Sequence, residues 1–167
     1  MAARQSATHA AGKVAPDVAE LWNRAQSGRH DGHYYVALFG LRRYDALHVM
    51  EHIRRGFAYS AVERFQRNTE LPFRVLAEAA EIPERTLARR KESGRLEPDE
   101  SDRLARLSRI VARAIELFEG DIAGARGWLT SPVAALGGRA PLEFASSDAG
   151  AIEVDHLIGR LEHGIPT

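Results

Sequence analysis

One arrangement of side chains in the sequence could bind a metal. His48, Glu51 and His52 spell H-x-x-E-H, a motif in which two imidazoles on one helix face hold zinc and the glutamate acts as a base. No neighbouring residue supplies an obvious third ligand, and His30 and His33 flank a loop that offers no stronger site. A histidine-bearing helix surface is the better interpretation, and a small metalloprotease is the weakest alternative. We therefore predict no metal, no cofactor and no catalytic residue.

A second group of side chains is suited to nucleic acid. Residues 83–95 carry five basic and two acidic side chains. A helix over this segment would direct its early side chains at base edges and its later cations at phosphates. The candidate DNA-binding residues are Arg85, Thr86, Arg89, Arg90 and Lys91. A pair of packed helices with a solvated arginine face is the alternative.

Two short predicted helices, 72–80 and 84–91, must position these side chains. Ala77 and Ala80 are small enough for the helices to cross steeply over a tight turn. The segment resembles the helix-turn-helix of the Xre/phage-repressor class. Where that class usually has glycine in the turn, this sequence has Glu81, whose backbone would be strained and whose carboxylate would face DNA phosphates.

The rest of the chain also reads as helical, and no paired strands are predicted. Residues 33–41 form a short apolar run that fits a strand or a buried helix, and the helical neighbours favour a helix. Further helices are expected after capping residues Asp17, Asp121 and Asp148, with a capping box at Ser60 and Glu63 and an apolar row of Leu47, Met50 and Ile53. We predict an all-α fold.

A long helix is expected from about Glu100. Its cations Arg103, Arg106, Arg109 and Arg113 fall on one face. Internal ion pairs with the acidic residues at the start of the same helix, or a solvated face, explain that face better than DNA contact does. The acidic residues concerned are Asp99, Glu100 and Asp102.

Composition limits the class of protein. The 167 residues contain no cysteine, 44% apolar residues, and equal numbers of basic and acidic side chains, 23 each. Residues 1–113 carry 20 basic and 15 acidic side chains, whereas residues 114–167 carry 3 and 8. A basic front and an acidic tail suggest two different partners. Because no apolar run reaches the roughly 20 residues of a membrane helix, we expect a soluble, cytoplasmic protein that binds no membrane.

The last third of the chain carries a specific pattern of small and apolar residues. It reads A-x2-W-L, then LGG-x-x-PLE, then GA-x-x-V-x2-L-x3-L-x-x-G, from Ala125 to Gly164. With the helix-turn-helix before it, this pattern strongly resembles the toxin-binding domain of Xre/MbcA/ParS-type antitoxins. The resemblance covers roughly residues 54–167. It implies an Xre-like helix-turn-helix core followed by a small helical toxin-binding domain.

The resemblance also implies partners. Such antitoxins pair with RES-type toxins, which degrade NAD or transfer ADP-ribose, and they repress their own operon. The C-terminal helix and tail would plug the toxin's NAD cleft. Trp128 fits a core anchor beneath the Gly137-Gly138 turn better than a direct toxin contact, and both roles stay open. The acidic residues Asp148, Glu153, Asp155 and Glu162 suit an electropositive cleft. The candidate toxin-binding residues are Trp128, Gly137, Gly138, Glu153, Leu157, Arg160, Leu161, Glu162, Gly164, Ile165, Pro166 and Thr167.

Four regions follow from these predictions. They are a flexible leader at 1–15, an N-terminal helical region at 16–59 that is a candidate for homodimerisation, a helix-turn-helix region at 60–113, and a toxin-binding domain at 114–167. A helix-turn-helix protein needs two half-sites for tight binding, so we expect a homodimer on operator DNA. The alternative is a plain transcriptional repressor whose C-terminal module only dimerises or senses a ligand.

Overall fold

The computed structural model describes residues 15–28 and 32–165. Most of the predicted leader, together with His30, Pro166 and Thr167, lies outside the described residues. Within those ranges the chain forms nine α-helices and two short 3-10 helices and no strand, which confirms the all-α prediction. The α-helices are α1 Pro16–Gln26, α2 Ala46–Arg55, α3 Tyr59–Thr69, α4 Phe73–Ala79, α5 Glu84–Ser93, α6 Pro98–Leu117, α7 Ile122–Thr130, α8 Pro141–Phe144 and α9 Asp148–Glu162.

Helix α6 is the central element of the fold. It packs against α7 and α9 on the C-terminal side, and against α1, α2 and the first 3-10 helix on the N-terminal side. Leu104, Leu107, Ile110 and Ile115 on α6 are almost completely buried. Burying each such side chain stabilises the fold by about 1.5–3 kcal/mol. One long helix therefore holds both halves of the chain together.

The ambiguous apolar run forms a 3-10 helix, Tyr34–Phe39, with all six side chains buried. Gly40 ends it in the left-handed conformation at φ 82°. The ring of Phe39 stacks on Phe57 and on Phe65, with ring centroids 4.7 Å apart in both pairs. The helical interpretation of the run was correct. Its tighter 3-10 winding was not expected.

Asp17 has a different role from the predicted helix cap. Helix α1 begins one residue earlier, and the Asp17 side chain lies inside the protein, where it accepts hydrogen bonds from Arg42, Arg64 and Asn68. Burial alone would raise the pKa of Asp17, but the hydrogen bonds from Arg64, Arg42 and Asn68 outweigh burial and lower it to about 2. This carboxylate joins α1 to α3 and to the segment before α2.

The other predicted caps divide into correct and incorrect ones. Asp121 caps α7, since its carboxylate accepts a hydrogen bond from the Gly124 amide at 3.1 Å. The cap of α9 is Ser147 and not Asp148, because the Ser147 hydroxyl accepts the Gly150 amide at 3.1 Å. The capping box at Ser60 was wrong as well, because α3 already begins at Tyr59.

The apolar row predicted on α2 faces two ways. Ile53 is buried together with Val49, whereas Leu47 is 71% exposed and Met50 is 43% exposed. The buried row of α2 therefore shares Ile53 with the expected row but runs through Val49 instead of Met50, which leaves Leu47 and Met50 on the surface. In the part of the chain that the structure describes, no helix is long and apolar enough to cross a membrane.

Candidate functional site

Helices α4 and α5 form the predicted pair around a tight turn. Ala77 and Ala80 are buried where the helices meet, and the Ile82 amide donates to the Ala77 carbonyl at 2.9 Å. Glu81 occupies the turn with a left-handed φ of 53° and an exposed side chain. The backbone therefore has the conformation in which glycine is favoured, and this chain forms it with a glutamate.

The outer face of α5 carries the cations expected there. Arg85, Arg89 and Lys91 are exposed and Thr86 is half-buried, while Leu87 on the opposite face is buried in the core. Arg85 and Arg89 are four residues apart and therefore lie on one side of the helix. This face presents two adjacent guanidinium groups to a ligand.

Arg90 does not project from α5 as predicted. Its side chain is only 14% exposed, and its guanidinium donates to both oxygens of Glu100, with Nε 2.9 Å from Oε2 and Nη2 3.0 Å from Oε1. Its Nη1 atom lies 3.1 Å from Glu97. Glu100 also accepts the Glu97 amide at 2.9 Å, which completes the capping box of α6. Arg90 thus fixes α5 to the start of α6, because two parallel hydrogen bonds define a single orientation.

The segment after α7 forms an exposed turn. Gly137 and Gly138 both have left-handed φ angles, 67° and 79°. The Val133 amide donates to the Arg139 carbonyl at 3.1 Å, and the Gly138 amide donates to the Val133 carbonyl at 3.0 Å, which closes the turn. Trp128 is half-buried, and its ring lies 6.4 Å from that of Phe118. Trp128 therefore lies near Phe118, the residue that caps the end of α6.

Helix α9 packs one apolar face on α6. Ala151, Val154, Leu157 and Ile158 are fully buried there. Leu157, which was expected to contact a toxin, therefore does not reach the surface. At Gly150 an added Cβ atom would lie 1.8 Å from the carbonyl oxygen of Phe144. Only glycine lets the start of α9 approach the end of α8 this closely.

The acidic residues of α9 pair mostly with arginines of α6. Asp148 contacts Arg106 at 2.5 Å, and Asp155 lies 3.3 Å from Arg113. Both oxygens of Glu162 accept from Arg113 at 3.0 Å. Of the four acidic residues that suggested a fit to an electropositive cleft, these three are already compensated inside the chain. Glu153, the fourth, is exposed.

The sequence interpretation missed these pairs between α6 and α9, since it expected the arginines of α6 either to form ion pairs within the same helix or to lie on a solvated face. That assignment holds for Arg103, which lies 3.0 Å from Asp99. Arg106 and Arg113 are seven residues apart, so they share a face of α6. The acidic partners recur on α9 with the same spacing of seven, at 148, 155 and 162. This matched spacing was the available signal.

The end of α9 is shaped by Gly164. This residue has a left-handed φ of 65°, its amide donates to Leu161 at 3.1 Å, and the Ile165 amide donates back to the Arg160 carbonyl at 2.9 Å. These bonds fold the chain over the helix end in a Schellman-type cap. Leu161 is half-buried, and Ile165 is 49% exposed beside the helix.

The suspected zinc motif does not form a metal site among the described residues. The rings of His48 and His52 lie edge to face, with their centroids 4.6 Å apart. Across residues 15–28 and 32–165, no group of three or more histidine, aspartate or glutamate side chains is arranged to hold a metal ion. His33 donates to or accepts from the Tyr35 hydroxyl at 3.1 Å and has a structural partner.

Comparison with known families covers most of the chain from α2 onward. Residues 48–109 match the family described as the antitoxin Xre-like helix-turn-helix domain. Residues 113–164 match the antitoxin Xre/MbcA/ParS C-terminal toxin-binding domain. The fold and these matches define an antitoxin of a toxin–antitoxin pair, and members of this antitoxin family are not enzymes.

Individual relatives identify the family within that class. The chain is 37% identical over 118 residues to a protein named Antitoxin Xre from Yersinia enterocolitica, which covers 70% of this chain and 80% of the relative. It is 33% identical over 119 residues to Antitoxin Xre from Photorhabdus laumondii, covering 71% and 80%. It is 34% identical over 84 residues to Antitoxin Xre from Pseudomonas putida, covering 50% and 52%. The chain belongs to the Xre antitoxin family.

Proposed function

We propose that this antitoxin neutralises a RES-type toxin by covering its NAD cleft with the end of α9 and the tail that follows. The observation that carries the proposal is the extent of the toxin-binding domain, which runs to residue 164, two residues beyond the end of α9 and next to the exposed Ile165. An exposed apolar residue held by a helix cap is already ordered before binding, so less entropy is lost when a partner buries it.

Removal of the tail tests this role. A variant lacking residues 164–167 should keep the helical circular dichroism and the cooperative unfolding of the full chain, because α9 docks on α6 upstream of the deletion. It should fail to protect cells that express a RES-type toxin, with NAD content as the readout. If the shortened protein protects as well as the full chain, occlusion by the tail is wrong.

We further propose that α5 binds operator DNA and that the antitoxin represses its own operon in the cytoplasm. The paired exposed guanidinium groups of Arg85 and Arg89 support this, since arginine forks suit both guanine edges and phosphates. A gel-shift titration with the DNA upstream of the coding region tests it. Absence of a shift at physiological salt, with toxin neutralisation intact, would leave neutralisation as the whole function.

A homodimer would allow two α5 helices to contact two half-sites. The exposed Leu47 and Met50 on α2 support self-association within the N-terminal region 16–59. Replacing both by aspartate should leave the fold intact, because neither side chain is in the core. The same replacement should convert a dimer to a monomer in sedimentation measurements and weaken operator binding. An unchanged dimer would place the interface elsewhere.

A further inference from the structure

The first 3-10 helix, Tyr34–Phe39, precedes both matched domains, which begin at residues 48 and 113. It packs on α6 and opens with two tyrosines that are buried to nearly the same extent, with Tyr34 8% and Tyr35 7% exposed. The hydroxyl groups of these tyrosines have different partners. That of Tyr35 lies 3.1 Å from Nδ1 of His33, two residues earlier in the chain, whereas that of Tyr34 donates to Glu116 near the end of α6. Tyr34 therefore connects the N-terminal region to the end of the central helix.

Glu116 lies between Tyr34 and an arginine of α6. Tyr34 donates to Oε1 of Glu116, and Oε2 lies 3.7 Å from Nη1 of Arg113, three residues earlier on α6. Burial and the hydrogen bond to Glu116 raise the pKa of Tyr34, so its phenol stays protonated and remains the donor. Because each oxygen of the Glu116 carboxylate has a partner, the carboxylate is held in one orientation beside Arg113.

Arg113 in turn holds the last turn of α9. Its Nη1 and Nη2 atoms donate to the two oxygens of Glu162, each at 3.0 Å. Core packing does not hold this turn, since Ile158 is fully buried but every residue from 159 to 165 is half-buried or exposed. Two parallel hydrogen bonds between a guanidinium and a carboxylate define a single orientation. The end of α9 is thus fixed by a polar contact that begins at Tyr34.

We propose that Tyr34 is a positioning residue for toxin binding, which acts through Glu116 and Arg113 to hold the last turn of α9 in its binding orientation. The inference rests on the proposed function, in which this end of α9 contacts the toxin, and it gives the N-terminal region a part in that contact. A helix end that is already ordered loses less conformational entropy on binding. Loss of the Tyr34 hydroxyl therefore weakens binding without removing any group that touches the toxin.

A comparison of Tyr34→Phe with Tyr35→Phe tests the proposal. Each variant removes one hydroxyl group from an equally buried ring of the same 3-10 helix, so the two should lose similar amounts of stability. Only Tyr34→Phe should speed amide hydrogen exchange at residues 159–165 of the free antitoxin. Only Tyr34→Phe should raise the Kd for the purified RES-type toxin in isothermal titration calorimetry, by about threefold to tenfold.

A double-mutant cycle tests whether the effect passes through Arg113. Glu162→Gln weakens the far end of the same set of contacts, so in that background Tyr34→Phe should change the Kd little further. Fold-changes that multiply would mean independent sites and would overturn the proposal. Unchanged exchange at residues 159–165 in Tyr34→Phe, or equal toxin affinities of the two phenylalanine variants, would overturn it as well.

The exchange measurement separates this proposal from the proposed function, because it is made on the antitoxin without toxin. Inhibition that survives deletion of residues 164–167 would disprove occlusion by the tail. The exchange rates and the cycle would still decide whether Tyr34 holds the end of α9.

Discussion

Helices α5 and α9 both carry charged side chains that suggest a function. In both helices, some of these side chains form ion pairs with α6. On α5, Arg90 pairs with Glu100 at the acidic start of α6, whereas Arg85 and Arg89 remain exposed. On α9 the arginines of α6 pair with three carboxylates, those of Asp148, Asp155 and Glu162, and the outer face carries Glu153 and Arg160. The exposed face of α5 therefore keeps the positive charge of its segment, whereas the outer face of α9, where Glu153 and Arg160 have opposite charges, keeps little of the negative charge of its segment.

This difference shows that the net charge of a segment does not give the charge of its exposed face. A central helix with acidic residues at its start and arginines along its length can compensate either sign in the helices packed against it. Charges that α6 compensates contribute mainly to orientation and stability, whereas those that remain at the surface are available to a partner. The experiments below test this separation.

The largest expected effect concerns the packing of α9 against its neighbours, because the ion pairs between α9 and α6 form only when α9 is docked. Gly150→Ala forces a Cβ to within 1.8 Å of the Phe144 carbonyl oxygen, so α8 and α9 must move apart. We expect a loss of about 3 kcal/mol in the free energy of unfolding. Gly159→Ala in the same helix meets open space and should stabilise the protein by up to about 1 kcal/mol. Equal stabilities of the two variants in urea unfolding would contradict the observed packing.

Substitution of Asp17 tests how much a buried carboxylate with internal partners contributes to the free energy of unfolding. Its pKa is lowered from 3.8 to about 2, so the carboxylate stabilises the fold above the unfolded-state pKa, and this stability is lost as pH falls through the folded-state pKa. The shift corresponds to about 2 kcal/mol. Asp17→Asn should therefore be less stable than wild type at neutral pH, and the difference in melting temperature should shrink as pH falls from about 4 to about 2. A difference that stays constant over that range would show that Asp17 acts by packing alone.

The elements of the fold could largely be predicted from the sequence, because local signals determine where its helices begin and end. Helix α6 shows its apolar period, and α4 and α5 show small residues around a tight turn. The failures occurred where tertiary contacts override local ones. Asp17 looks like a cap but is buried among distant arginines. The buried row of α2 is set by the helix it packs on, which the sequence does not specify.

The candidate sites were harder to predict than the fold. Residue types and spacing predicted α5 and α9 as the helices that carry the sites, and each lies within a domain that a family model matches. The partners of individual charges lie far apart in sequence, however. Arg90 is ten residues from Glu100, and Arg113 is 49 residues from Glu162. Such pairings depend on how α5 and α9 dock on α6, so the residues at each surface became known only with the structure.

Two neighbouring arginines on α5, Arg89 and Arg90, allow a direct test of the difference between an exposed charge and one that is paired with α6. Arg89→Ala should reduce operator affinity by about 1–3 kcal/mol if the side chain contacts a base, with no change in melting temperature, because Arg89 is exposed. Arg90→Ala should lower the melting temperature by releasing α5 from Glu100, and Arg90→Lys should restore little because lysine cannot form the paired hydrogen bonds. If Arg90→Ala weakened DNA binding without lowering the melting temperature, Arg90 would itself contact DNA.

The smallest expected effect is at the turn before α5. Glu81 has a left-handed φ of 53°, a conformation that costs a residue with a side chain about 1 kcal/mol more than it costs glycine. Glu81→Gly should therefore stabilise the protein slightly and, by removing a carboxylate next to the proposed DNA surface, strengthen operator binding. Glu81→Gln separates these effects, since it removes the charge and keeps the strain. If neither variant binds operator more tightly, the carboxylate of Glu81 points away from the phosphates. In that case only the exposed cations on the outer face of α5, and not the turn before it, would determine the electrostatic contact with DNA.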